Sequence, residues 1–148
     1  MEIKIYTDGA CIGNPGPGGW AAVILNNNEK KELFGGEKLT TNNRMELTAA
    51  IKGLEYCLKQ EKEQLSFKQI KIYTDSTYLK DGITIWIKNW AKNNWKTSDK
   101  KNVKNVDLWK KLKDLIKSKQ IEWYWIKGHS GDPMNDLADK LAKEATPI

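Results

Sequence analysis

The chain has 148 residues, of which 39% are hydrophobic and 30% charged, with a formal net charge of +6. That length suits one domain with a core of its own, and that balance excludes a disordered chain or one that depends on staples. No apolar run approaches the ~20 residues that span a bilayer and no signal-peptide core opens the chain, so no membrane-spanning helix is expected and the cytoplasm is the expected compartment.

Glu2–Asp8 reads as the first strand: Ile-Lys-Ile-Tyr-Thr-Asp, at Ile3–Asp8, alternates apolar and polar residues and stops on a carboxylate. The Gly/Pro stretch Cys11–Gly19 is expected to turn and to let backbone approach closely. Trp20–Asn26 and Lys31–Gly36, joined at Asn26-Asn27-Asn28, complete an antiparallel meander. A helix is expected from about Asn43 to Glu61, with Leu47, Ala50, Ile51, Leu54 and Leu58 on its apolar face. The hexapeptide then recurs at Ile70–Asp75 as strand four. A short helix from Thr77 and another from about Ile83 to Lys92 precede a polar, aperiodic loop, Asn93–Lys104. A helix over Val106–Ser118 and a fifth strand, Gln120–Ile126, come next. The Gly-flanked loop Lys127-Gly128-His129-Ser130-Gly131 leads to a last helix, capped by Asp132, opened by Pro133 and running to about Ala145. The order βββαβαβα implies an α/β fold: one domain, residues 1–148, with a five-stranded mixed sheet and helices on both faces.

If the two hexapeptides lie side by side and parallel, Asp8 and Asp75 meet at one sheet edge. Two unneutralised carboxylates there repel, and a shared divalent metal relieves the repulsion. Either Asp alone also suits a cap for the turn or helix that follows it. Glu46 falls in the first turn of the first long helix, where Asn43-x-x-Glu46 fits a variant capping box. It also flanks the apolar stripe, which aims it at the sheet edge. Asn135 and Asp139 share a face of the last helix at i,i+4, beside Leu137, Ala138 and Leu141. Cys11 and Cys57 have neither CxxC spacing nor a nearby His and read as free thiols, with Cys11 in a packing role. Clustered Asp and Glu without Cys suit Mg²⁺ and disfavour zinc.

Charge is unevenly placed. Lys80–Lys119 holds twelve Lys and four Asp, a local +8 that leaves −2 elsewhere. A positive field on a near-neutral body points to a polyanionic partner, although Lys supplies 24 of the 25 basic residues and a merely solvated surface stays open. Within this stretch Trp86 and Trp90 stand at i,i+4 and Trp95 follows, interleaved with Lys88, Lys92, Lys96, Lys100, Lys101 and Lys104. Trp with Lys suits backbone tracking with stacking, and at least one of the three rings is expected to pack inward.

The strings Thr7-Asp8-Gly9, Thr41-Asn42-Asn43-Arg44-Met45-Glu46-Leu47, Thr74-Asp75-Ser76, Gly128-His129-Ser130-Gly131 and Asn135-Asp136-Leu137-Ala138-Asp139 occur in that order. Together they make the chain resemble type 1 ribonuclease H of the bacterial kind, almost end to end. The resemblance implies endonucleolytic hydrolysis of the RNA strand of RNA–DNA hybrids, leaving 3′-hydroxyl and 5′-phosphate ends. It makes Asp8, Glu46, Asp75 and Asp139 the catalytic, metal-binding carboxylates, holding a pair of Mg²⁺ ions in the substrate complex, with Mn²⁺ as a substitute. It assigns His129, the sole histidine, to proton transfer and product release. It lays Asn14, Asn42 and Asn43 along the RNA strand, where an amide suits the 2′-hydroxyl. It places a DNA-phosphate pocket at Thr41 and Asn105. It makes Trp86, Trp90, Lys92, Trp95 and Lys96 part of a basic protrusion that grips the DNA strand. Leu39 departs from the pattern, standing where many relatives carry an Arg in the phosphate pocket. Arg44, the sole arginine, reads as structural, holding the helix start.

A single domain, without the amino-terminal hybrid-binding domain of eukaryotic relatives, is expected, and with it low processivity. The expected partner is the hybrid duplex, with no membrane, no obligate protein partner and a monomeric state. A non-catalytic hybrid or duplex-RNA binder is disfavoured by the four acids. A DNA-cutting relative, as in transposases, is disfavoured by the Trp/Lys protrusion and the Asn set.

Overall fold

Alternation along the first strand puts Ile3 and Ile5 on one face and Tyr6 on the other, and all three are buried. A sheet built this way needs cover on both sides. The computed structural model describes residues 2–27, 29–63, 69–117, 120–127 and 131–147. Its strands are β1 (Glu2–Cys11), β2 (Gly16–Asn26), β3 (Glu29–Thr40), β4 (Gln69–Thr74) and β5 (Ile121–Trp125). Its α-helices are α1 (Asn42–Glu63), α2 (Thr77–Asp81), α3 (Ile87–Lys92), α4 (Val106–Ile116) and α5 (Pro133–Ala145). The strand order is β3-β2-β1-β4-β5. β1–β2 and β2–β3 are antiparallel, whereas β1–β4 and β4–β5 are parallel. The expected mixed sheet is therefore present. The hexapeptide copies align residue for residue, from Ile3 opposite Ile70 to Thr7 opposite Thr74.

One face buries Ile3, Ile5, Ile70 and Ile72 under Leu47, Ile51 and Leu54 of α1 and Trp109 and Leu112 of α4. The other packs Tyr6 and Val23 against Ala138, with Leu137 and Leu141 of α5 alongside. Tyr6, Tyr73 and Tyr124 stack across β1, β4 and β5 on that second face, with successive centroids 4.6 and 5.1 Å apart.

Several boundaries differ from the sequence reading, and β1 itself runs past Asp8 to Cys11. Gly16–Gly19, expected within a turn, opens β2, because Gly18 and Gly19 pair with Cys11 and Ala10. β3 runs from Glu29 to Thr40, well past Lys31–Gly36 at both ends. The two short helices after Asp75 are joined by a π-helical turn, Gly82–Trp86, which leads directly into α3.

The glycine at position 19 is a close-approach requirement. A Cβ there would lie 2.1 Å from the Ala142 carbonyl oxygen and 3.0 Å from the Thr146 nitrogen, backbone atoms that cannot swing away. Gly19→Ala is expected to push α5 off the sheet and destabilise the fold by about 3 kcal/mol, read as a lower urea midpoint at unchanged slope. An unchanged midpoint would show that α5 sits less tightly on β2.

Candidate active site

The carboxylates converge because the parallel pairing of β1 with β4 ends at Thr7 and Thr74, and two helices reach that point from opposite faces. Asp8 shares the α5-facing side of β1 with Tyr6, by alternation. Asp75 follows Thr74, the last residue of β4 and the partner of Thr7. Glu46 arrives from α1, over the other face. Its approach depends on Gly9, where a Cβ would stand 2.6 Å from the Glu46 nitrogen and 2.9 Å from Glu46 Oε1. One carboxylate oxygen from each of Asp8, Glu46 and Asp75 lies within 4.8 Å of the others. Asp139 comes from α5, hydrogen-bonds Asp8 and pairs with Lys143 Nζ at 3.0 Å. All four line one cleft of about 360 Å³ with Gly9, Asn42, Asn43, Ser76, Thr77 and Tyr78.

The competing cap roles fail on the geometry. Thr41, not Asn43, caps α1: its Oγ1 accepts from the Arg44 N–H at 3.2 Å. That corrects the capping-box reading and leaves Glu46 buried at 3% exposure with no helix end to serve. Ser76, not Asp75, caps α2, its Oγ accepting from the Leu79 N–H at 3.1 Å. The backbone around Asp75 is held by β5. Trp125 Nε1 donates to the Asp75 carbonyl at 3.2 Å, and the Ile126 N–H to the Thr74 carbonyl at 2.8 Å.

Electrostatically the cluster is under load. Burial, then the charges of Glu46 and Asp75, pushes the Asp8 carboxyl up to about 10. Burial and then Asp75 push Glu46 up to about 8, against hydrogen bonds with Ser76 and Gly9 that pull the other way. Glu46 Oε1 remains buried with no hydrogen-bond partner among the described residues. A buried oxygen without a donor, in an all-oxygen set of like charges, fits a hard divalent cation.

Other predicted residues divide. Asn42 and Asn43 are exposed in the same cleft, and the Asn42 N–H donates to Asn14 Oδ1 at 2.8 Å, so these three amides cluster. Asn105 adopts the left-handed conformation (φ 59°) ahead of α4. Its Oδ1 accepts from Arg44 at 3.2 Å and its Nδ2 donates to Tyr78 Oη at 3.1 Å. Arg44 also forks onto Asp107, at 3.1 and 2.9 Å, tying the start of α1 to the start of α4. Trp86, Trp90 and Trp95 are all half-buried, in line with the expectation that at least one ring packs inward. Trp90 lies 5.4 Å from Trp109 and 5.6 Å from Trp86, centroid to centroid. Lys92 and Lys96 are exposed, and the Lys96 ammonium donates to Asn102 Oδ1. Leu39 is 75% exposed. Cys11 donates to the carbonyls of Gly16 and Thr40, in keeping with packing. His129 lies outside the described residues.

Lys143, Ser76, Tyr78 and Trp125 were not singled out from sequence. Asp139 and Lys143 stand at i,i+4, a readable signal. The other three follow or oppose Asp75 only once the sheet has formed.

The family model described as RNase H matches residues 1–146. The chain is 56% identical over 142 residues to the ribonuclease H of Maricaulis maris (strain MCS10), covering 96% of this chain and 91% of that one. Among solved structures it is similar to LC9-RNase H1, described as a type 1 RNase H with the type 2 active-site motif. That likeness has a TM-score of 0.82 and 28% identity over 97% of this chain and 71% of the other. It is also similar to LC11-RNase H1, solved in complex with RNA/DNA hybrid, at a TM-score of 0.74 and 25% identity over 97% of this chain and 95% of the other. With the four carboxylates gathered on this sheet and a match over nearly its whole length, the chain belongs to the ribonuclease H family.

Proposed function

We propose that this chain hydrolyses the RNA strand of RNA–DNA hybrids, leaving 3′-hydroxyl and 5′-phosphate ends, with divalent cations held by Asp8, Glu46, Asp75 and Asp139. The observation that carries the reading is the oxygen set of Asp8, Glu46 and Asp75 within 4.8 Å, including a buried Glu46 oxygen with no partner among the described residues. The hard, all-oxygen donors favour Mg²⁺, with Mn²⁺ as a substitute. The chemistry such ions supply when bound is a water nucleophile at neutral pH and neutralisation of charge on the phosphate.

The protein's own groups do the rest. Asn42 and Asn43, in the same cleft, and Asn14 beside them offer donors and acceptors to the 2′-hydroxyls that mark the strand to be cut. His129 moves a proton and assists product release. The DNA strand lies toward Thr41, Asn105 and the Lys-rich segment, where the half-buried edges of Trp86, Trp90 and Trp95 flank the exposed Lys92 and Lys96. No helix among the described residues is long and apolar enough to cross a membrane. We place the protein in the cytoplasm as a monomer that needs no protein partner, its residues 1–148 acting as one catalytic domain.

The test is an incubation of RNA–DNA hybrid, duplex RNA and duplex DNA with Mg²⁺. Cleavage confined to the hybrid's RNA strand is expected. Uncut substrates of all three kinds would leave a binding module, and cut duplex DNA would make it a DNA nuclease. Replacing Lys92 and Lys96 together with Ala is expected to weaken hybrid binding and to reduce the slope of log K against log salt by roughly 1–2, because each phosphate contact releases condensed counterions. An unchanged slope would remove that segment from the interface.

A further inference from the structure

The hydrogen-bond arrangement around Tyr78 forces its hydroxyl into one role. Arg44 carries only donors, so the Asn105 atom facing it, 3.2 Å away, is the carbonyl oxygen. The amide nitrogen of Asn105 therefore faces Tyr78 Oη, at 3.1 Å, and the tyrosine must accept. Trp109 Nε1, also donor-only, reaches the same oxygen at 3.0 Å, so the tyrosine accepts again. Both lone pairs are thus engaged, and the phenolic hydrogen has no acceptor among the described residues. The ring is clamped as well, 5.4 Å from Trp109 and 5.9 Å from Trp86. A rigid, half-buried hydroxyl with only its proton to offer suits an incoming acceptor.

Its position indicates which acceptor. Tyr78 lines the carboxylate cleft on one side. On the other it lines a pocket of about 320 Å³ with Trp90, Asn102, Val103, Lys101, Lys104 and Asp99, whose carboxylate pairs with Lys101 at 3.8 Å. A carboxylate-lined cleft with bound cations takes the strand being cut, so the Lys-rimmed side meets the other strand. We propose that Tyr78 is a substrate-binding residue whose O–H donates to a non-bridging phosphate oxygen of the DNA strand. Asn105 and Trp109 act as the acceptor-blocking pair that keeps it a donor. The inference rests on the hybrid-cleaving activity proposed above and adds to it a contact on the uncut strand.

The test places a single uncharged methylphosphonate in turn at each DNA-strand position of a hybrid and measures KM and kcat for cleavage of the RNA. Wild-type protein is expected to show KM raised roughly ten-fold at the position facing Tyr78, the loss of one charge-assisted hydrogen bond, over smaller rises where Lys side chains meet other phosphates. Tyr78→Phe should raise KM roughly ten-fold on the unmodified hybrid, hold kcat within about two-fold, and show no further rise at that position. Trp109→Phe keeps the hydroxyl but frees one of its two lone pairs. It should melt lower and raise KM by less than Tyr78→Phe does, with the position effect retained. The proposal is overturned if Tyr78→Phe keeps wild-type KM or the position effect, or if Trp109→Phe loses both to the same degree. Wild-type protein that cuts no hybrid sinks the activity itself, an outcome distinct from these.

Discussion

Asp8→Asn is expected to lower hybrid cleavage by on the order of a thousand-fold and, in the same protein, to raise the unfolding midpoint measured without metal. The first effect follows from the site. Asp8 is 4% exposed, shares the 4.8 Å oxygen cluster with Glu46 and Asp75, and hydrogen-bonds Asp139, so it touches every other member of the set. An amide there keeps shape but removes the negative charge that a cation needs. Hybrid affinity should stay within a few-fold, because the Asn and Lys contacts are untouched.

The second effect has the opposite sign for the same reason. A carboxyl whose folded-state value is raised above the ordinary range weakens the fold once the pH exceeds that range. Asn carries no such penalty. The gain should be on the order of 2 kcal/mol near neutral pH and shrink as the pH falls to ~4 and below, where the wild-type carboxyl becomes protonated in the unfolded state as well. Cleavage rates, hybrid anisotropy and melts in a chelator separate the three quantities. A variant that loses activity but melts lower would show that Asp8 is a structural anchor. One that keeps a large fraction of the rate would remove it from the metal site.

The expectation that one residue serves activity while opposing stability bears on which parts of this protein could be read in advance. The parallel pairing of Ile3–Thr7 with Ile70–Thr74 was legible because identical alternation creates identical faces, and carboxylates that end both copies must then meet. Glu46 was legible as a conflict, a charged residue flanking an apolar stripe. Its second explanation, a helix cap, fell only when Thr41 proved to cap α1. Gly16–Gly19 misled because glycine signals a turn locally, whereas here it admits α5 against β2, a contact made by residues more than a hundred positions later. The tryptophans were legible in part. Helical spacing shows that Trp86 and Trp90 share a face, but only the position of Trp109 decides that the face packs inward. Tyr78 could not be found at all from sequence, since its role depends on donors from Asn105 and Trp109, 27 and 31 residues away.

Divalent metal should stabilise the protein in a manner that depends on pH, and this separates a metal centre from a merely acidic cleft. Folded Asp8 and Glu46 sit at about 10 and about 8, above the ordinary carboxylate range. The folded state therefore binds protons more tightly than the unfolded one. Without metal, the stability these groups contribute is fully present at about pH 4 and is lost as the pH rises through the window up to about 8–10. A divalent cation competes for the same oxygens, so it should add little at about pH 5 and most at about pH 9. With the ion at about 100 times its dissociation constant, the stabilisation is about 2.7 kcal/mol. Melts in a chelator and in millimolar Mg²⁺ across this range measure it directly, without reference to cleavage. Asp8→Asn supplies the internal control, because removing one charge from the cluster should flatten both the metal-free pH dependence and the response to Mg²⁺. A Mg²⁺ shift of equal size at every pH, or one that survives in Asp8→Asn, would assign the ion to some other part of the surface. The cluster would then be left with four carboxylates and no account of why the fold tolerates a buried Glu46 oxygen without a partner among the described residues.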